Sequence, residues 1–269
     1  MFKDGVELFS NHAIDHGEKQ LAHCRYMSEF KMKINEERLG CSGHWLIQSL
    51  NRQGRLQRCY TQNIDSLHRK ILLDVSNRVV ECHGNLDEVF CNQGHYQNFD
   101  SSITSRFELG NISCNECKKL NLQRKEEGKR LRTEGVVRPT ISLYDLECEK
   151  FSYDEFVWQD LNSSADTIIV IGTSLKVVGI QNLVKDLANH VINNNKGIGI
   201  VINQHPINHG CLKSFQYHFW ESFEHFSRNI LFTNNPIEST WDEYVLERSK
   251  DRRRKKLPEI AEELFGNHT

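Results

Sequence analysis

The sequence predicts an α/β fold, a Rossmann-like parallel sheet with helices on both faces, interrupted by a smaller cysteine-bearing module. Three observations predict it. Four short runs are apolar and β-branched enough to be strands buried on both faces: Leu56–Tyr60, Arg78–Cys82, Thr167–Gly172 and Gly197–Asn203. Between the last two lies a helical stretch, Ile180–Asn193, with Leu183, Val184, Leu187, Ala188 and Val191 at helical spacing. That strand–helix–strand order within about 35 residues is one βαβ unit of a parallel sheet. The third observation is residues 91 to about 132, where polar and charged residues replace the alternation.

In chain order, the first 40 residues have a helical composition and no strand signal. Gly43–Asn51, with Trp45, Leu46 and Leu50 facing inward, precedes the Leu56 strand and suggests a second strand–helix unit. The 91–132 stretch holds Cys91, Cys114, Cys117 and the run KKLNLQRKEEGKRLR at 118–132. It has too few apolar residues for a core of its own, so a metal staple is expected. Past Pro236 the chain turns polar, and RSKDRRRKK at 248–256 has seven basic residues against one acid. The expected division is 1–84, the first part of the sheet domain with a helical insertion; 85–133, the small module; 134–235, the second part of the sheet domain; and 236–269, a basic tail.

Composition narrows the class. At 269 residues, 38% hydrophobic and 26% charged, the chain can bury a full core, which excludes wholesale disorder. No run approaches the roughly 18 apolar residues of a membrane helix, and the start MFKDGVELFS lacks a signal-peptide pattern. A net charge of −2 does not mark a general polyanion binder, so direct nucleic-acid binding is not expected. Nine cysteines are too few for a disulfide scaffold. A soluble protein of a reducing compartment is expected, with paired cysteines as metal ligands.

Four segments carry candidate chemistry. In RCYTQNIDSLH at 58–68, Gln62, Asn63 and Asp65 sit past a strand's carboxyl end, where open α/β sheets bind ligands. The same residues also suit an ordinary Asn/Asp turn. In VVECHGNLDEVFC at 79–91, His83 precedes Gly84 at another strand end. It is either a proton-transfer group or a structural histidine. CNEC at 114–117 brings two thiolates to one tetrahedral metal. The partner half-site reads CNQGHY, with Gly94 where a cysteine would complete the pair and His95 available instead. Cys91, His95, Cys114 and Cys117 would make a Cys₃His zinc site; unrelated thiols are the other reading. Finally, Gly172, Thr173 and Ser174 after one strand and Asn203 after the next can cradle a phosphate or ribose, or simply turn the chain. Neither GxGxxG nor GxxxxGK[ST] is present.

Taken in order, TQNID at 61–65, CHG at 82–84, Cys91 with CNEC, VVRP at 136–139, IGTSL at 171–175 and IN at 202–203 resemble the sirtuin family, the NAD-dependent protein-lysine deacylases. GVELFS at 5–10 and HWLIQSL at 44–50 extend the resemblance, which runs from Gly5 to Phe232. RLRTEGVVRPTISLY is most similar to the fungal nuclear branch that acts on chromatin.

The resemblance implies NAD and zinc as cofactors and acetylated protein lysines, histones foremost, as substrates. Nicotinamide and O-acetyl-ADP-ribose would be the products, and the nucleus the location, in keeping with the basic 248–256 run. By position it implies that His83 is the catalytic base and that Asn63 serves the chemistry too. Gln62, Asn63 and Asp65 would bind the nicotinamide ribose and its surroundings. Gly172, Thr173, Ser174 and Asn203 would contact the adenosine half. Val136, Val137, Arg138 and Pro139 would lie on the strand that pairs with the substrate peptide, and zinc would be structural.

Three departures accompany it. The family's first strand, its GAGxS cofactor loop and its PDFR-type segment have no counterpart here. Gly94 stands at a zinc-cysteine position, and Tyr144, Asp145 and Leu146 stand where the family has [FY]GE. The alternative they raise is a catalytically silent module that binds chromatin or acyl-lysine.

Overall fold

The computed structural model describes residues 5–10, 13, 17–36, 40–72, 78–143 and 154–234. In chain order the elements are α1 (Gly5–Leu8), α2 (Gly17–Glu36), α3 (Ser42–Arg52), β1 (Cys59–Thr61), α4 (Leu67–Ile71), β2 (Val79–Glu81) and β3 (Gly84–Cys91). They continue with β4 (Tyr96–Asn98), α5 (Ser101–Glu108), α6 (Asn115–Glu126), β5 (Val137–Ile141) and α7 (Asp154–Asp160). The last are β6 (Thr167–Ile171), α8 (Val178–Ala188), β7 (Ile198–Ile202), β8 (Tyr217–Phe219) and α9 (Phe223–Asn234). Tyr144, Asp145, Leu146 and the whole 236–269 tail, with its basic run 248–256, lie outside the described residues.

The chain forms two compact units, Met1–Leu39 with Cys59–Tyr153, and Gly40–Arg58 with Asp154–Thr269. In the first, β1 and β2 pair in parallel with Thr61 opposite Glu81, and α4 lies in the connection between them. β3 then runs antiparallel to both β4 and β5. Its core joins Cys24, Met27 and Ile34 of α2 to Leu86 and Val89 of β3, Phe99, Phe107 of α5, and Val137 and Ile141 of β5. Phe99 and Phe107 meet edge to face with centroids 5.5 Å apart. The cysteine-bearing stretch therefore shares an apolar core with α2 and β5. Its own scarcity of apolar residues is made good by residues that the sequence places far away.

In the second unit, β6, β7 and β8 form a parallel sheet, with Val170 opposite Val201 and Val201 opposite His218. The βαβ unit expected there is present. α8 ends at Ala188 and continues as a π-helical turn, Asn189–Asn194. Leu46 of α3 packs with Ile200, Ile202 and Phe226, and Ser42 Oγ and Ser227 Oγ are 2.7 Å apart. Thus α3 is a layer of this sheet, although the sequence places it just before β1. The expected strand from Leu56 starts only at Cys59. The N–H groups of Arg55 and Leu56 instead donate to the Leu50 carbonyl and close the end of α3, while the Arg58 guanidinium binds the Asp160 carboxylate at 3.0 Å. No helix among the described residues is long and apolar enough to cross a membrane.

Candidate active site and metal centre

β1 and β2 stop together, because the Cys82 N–H donates to the Thr61 carbonyl at 2.8 Å. Each strand then releases a polar segment at the same level. From β1 come Gln62, half-buried, and Asn63, exposed. Asp65 turns its Oδ1 onto the Leu67 N–H at 2.9 Å and starts α4. From β2 comes the turn Cys82–His83, closed by Gly84 at φ +74°, a left-handed conformation that glycine adopts at little cost. His83 Nε2 and Gln62 Oε1 lie 3.4 Å apart.

Burial lowers the His83 pKa below its ordinary value of 6.5, opposed by a hydrogen bond to the Cys82 backbone. The ring is therefore neutral at pH 7, with one nitrogen able to accept a proton. The Gln62 amide, which offers an acceptor and a donor, can meet either tautomer. Chemically the arrangement is a neutral base beside an amide at a strand-end ligand position.

Beneath these groups lies a charge that the sequence reading passed over. Glu81, whose side chain is 1% exposed, bonds Arg69 of α4 at 2.8 Å and accepts from Asn85 Nδ2 at 2.8 Å. Burial raises its pKa, with Arg69 and Asn85 acting in the opposite direction. The one available signal was a carboxylate closing the otherwise apolar VVE strand.

Cys91, His95, Cys114 and Cys117 come together, their ligand atoms all within 4.8 Å of one another. Cys91 Sγ and Cys117 Sγ are 3.7 Å apart, and His95 Nδ1 is 3.5 and 3.4 Å from the sulfurs of Cys114 and Cys117. A zinc tetrahedron with arms of about 2.3 Å to sulfur and 2.0–2.1 Å to nitrogen has edges of roughly 3.5–3.8 Å, so the donor set fits the ion. The Gln93 N–H points at Cys91 Sγ from 3.3 Å and Gln97 Nε2 at Cys114 Sγ from 3.5 Å, donors suited to thiolates.

Gly94 turns the half-site at φ +89°, helped by the Gly94 N–H to the Cys91 carbonyl and the Cys91 N–H to the His95 carbonyl. That tight turn delivers His95 in place of the missing cysteine. A Cβ on Gly135 would collide with Cys91 Sγ.

The remaining candidates divide between the units. In the first, Val137, Arg138 and Pro139 are buried in β5, which occupies one edge of the order β4-β3-β5, and Val136 bridges to Ser113. Arg138 spends its guanidinium on the Ile141 carbonyl at 3.1 Å and the Phe90 ring at 4.4 Å. In the second, the Gly172 N–H donates to the Ile202 carbonyl, which sets residues 172–174 beside Asn203. Gly172 has φ +57° and Leu175 φ +51°, and Thr173 Oγ1 accepts from the Leu175 N–H at 3.1 Å. Asn203 Nδ2 donates to the His205 carbonyl at 2.7 Å, so its side chain shapes its own loop.

The profile of the Sir2 family matches residues 6–179, more than half of the sequence. The chain belongs to the Sir2 family. It is 33% identical over 218 residues to the NAD-dependent histone deacetylase HST3 of Candida albicans, covering 71% of this chain and 44% of that protein. To the NAD-dependent histone deacetylase HST3 of Saccharomyces cerevisiae it is 35% identical over 204 residues, 65% of this chain and 44% of the other.

This chain thus spans less than half the length of these two relatives. Among solved structures, Sir2Tm bound to a propionylated peptide superposes with a TM-score of 0.61 at 18% identity, over 83% of this chain and 82% of that one. Sir2 in complex with EX-527, 2'-O-acetyl-ADP-ribose and a deacetylated p53 peptide gives 0.57 at 19% identity, over 85% of each. The fold is therefore the sirtuin α/β fold, as the ordered motifs implied. Family members use NAD, and this chain's cysteine–histidine cluster is able to hold zinc.

Proposed function

We propose that this chain is an NAD-dependent protein-lysine deacetylase that acts on acetylated histone lysines in the nucleus. The observation that carries the reading is the neutral, half-buried His83 facing Gln62 where β1 and β2 end. The matching relatives named as histone deacetylases and the peptide and acetyl-ADP-ribose complexes of the structural neighbours support it.

In this reading bound NAD would supply the ribose C1′ as the electrophile for the acetyl oxygen of the substrate lysine, with nicotinamide as the leaving group. His83 takes the proton of a ribose hydroxyl on its free ring nitrogen, and burial keeps that nitrogen unprotonated at pH 7. Gln62 orients the imidazole. Asn63, exposed beside it, and Asp65, which fixes the turn, hold the nicotinamide ribose. Gly172, Thr173, Ser174 and Asn203 take the adenosine half; the Gly172 and Asn203 N–H groups are already bonded within the sheet, which leaves Thr173 and Ser174 as the donors of this loop. The extended peptide is assigned to Val136–Pro139 on the family resemblance alone: the Val136 and Val137 N–H groups are already given to Asn92 and Ile112, and Arg138 adds none from its side chain.

Zinc, where bound, supplies structure: four protein donors leave no open position. The nuclear assignment rests on RSKDRRRKK at 248–256 and on the relatives' names. A reporter carrying residues 240–269 is expected to enter nuclei, and a diffuse reporter would count against it. The function itself is tested by nicotinamide release and loss of the acetyl mass from a histone peptide. Release that requires both NAD and acetyl-lysine supports the proposal, and release independent of the peptide refutes it.

A further inference from the structure

We infer that Glu81 is a positioning residue, a buried carboxylate that clamps α4 and the start of β3 and so holds Gln62, Asn63 and His83 in one arrangement. The inference rests on the function proposed above and deepens it. Glu81 closes β2, two residues before His83, and stands opposite Thr61, one residue before Gln62. Its Oε2 accepts from Arg69 Nη2 and from Asn85 Nδ2, both at 2.8 Å. Arg69 lies on the helix that follows Asn63 and Asp65, and Asn85 lies on the strand that follows His83. One carboxylate oxygen thus ties together the two segments that leave the strand ends.

The neighbourhood repeats the tie. Leu86 N–H donates to the Ile64 carbonyl at 3.0 Å, Asn85 Oδ1 accepts from the Asp87 N–H at 3.0 Å, and Asp87 pairs with Lys70 of α4 at 3.1 Å. An isolated carboxylate 1% exposed is expensive to keep. Here it is retained, with the buried Ser66 hydroxyl adding to the Arg69 and Asn85 bonds that hold it. Ser66 has φ +60°, a left-handed conformation costly for serine, at the entrance to α4. Backbone strain and a buried carboxylate meet where the clamp operates. A hydrophobic residue would fill the space at lower cost and could not join the two segments.

Removing the clamp should loosen the segments without removing any group that touches substrate. Glu81→Ala in the full chain is expected to lower kcat about 10- to 100-fold while the KM for NAD changes less than about 3-fold. Glu81→Gln, which keeps one acceptor oxygen in the same shape, should recover most of the rate. Arg69→Ala should reproduce part of the loss, and the double variant with Glu81→Ala should fall no further than the worse single one.

A second readout needs no turnover: hydrogen exchange in Glu81→Ala should quicken at residues 61–70 and 82–87 relative to the rest of the chain. An unchanged exchange pattern, additive effects of the two substitutions, or a rate loss equal to the fraction unfolded would overturn the clamp. A parent chain with no turnover would overturn the proposed function instead, and the exchange data would still decide for or against Glu81.

Discussion

The two ends of β3 bury reactive side chains and obtain opposite results from the same physics. At the start of β3, burial disfavours the imidazolium of His83 and leaves a neutral base, the form that proton abstraction requires. Where β3 finishes, burial disfavours the thiolate of Cys91, pushing its thiol up to about 12, and neighbouring thiols add to this. A metal-binding cluster requires the thiolate. Desolvation alone therefore finishes one site and opposes the other, and a divalent cation reverses the balance at the second. The nine residues His83–Cys91 thus carry both the proposed base and a cluster suited to a metal.

The largest effect that could break this comparison is loss of the metal. Chelation, or Cys114→Ala, should unfold the first unit's β3–β5 region, because structural zinc contributes roughly 10 kcal/mol in small domains. Metal content and thermal melting check it; an unchanged melt would show that the shared core with α2 holds the region unaided.

Acid should then separate the two ends. The acid limb of the rate should be centred below 6.5, the ordinary histidine value, because burial lowers the His83 pKa. An acid limb centred above 6.5 would contradict the burial argument. Stability has its own acid component in His23, a fully buried ring on α2 whose pKa is lowered to about 4, by burial first, then Arg138, against a bond to the Leu8 carbonyl. The unfolded ring titrates near 6.5, so this contribution is complete above 6.5 and is lost as pH falls toward 4. At about 1.4 kcal/mol per unit it amounts to roughly 3 kcal/mol. His23→Gln should flatten the dependence of chemical denaturation on pH in that window.

The smallest effect sharpens the account of the half-site turn. Gly94→Ala should cost only about 1–2 kcal/mol through its left-handed backbone, with zinc retained, because the position is exposed and nothing crowds a Cβ there. Loss of zinc would mean that the turn, and not His95 alone, defines the site.

Much of this was legible in the sequence because it rests on local signals. TIIVIG and GIGIVIN with a helix between them could form little but a βαβ unit, and the spacing of CNEC is set by one metal tetrahedron. The motif order carried the family. Less visible was everything that depends on distant pairing. β3 pairs antiparallel with β5 some fifty residues further on, as with Phe90 opposite Arg138, and the turn residues of GNLDEVFCNQGHY hid a strand eight residues long.

The placement of α3 against β7 and α9 cannot be read from a helix that directly precedes β1. Glu81 escaped for the same reason, since a charged residue in an apolar strand gains meaning only once Arg69 and Asn85 are seen around it. Nor could spacing alone say whether Gln62 faces His83 or merely turns the chain.

We propose His83 as the neutral base of a sirtuin site. Nicotinamide release from NAD with an acetyl-lysine histone peptide, compared between the full chain and its His83→Ala variant, tests it most directly. The account predicts release by the parent and a loss of at least about 100-fold in a variant that still folds and still binds zinc. Equal rates from both would contradict it.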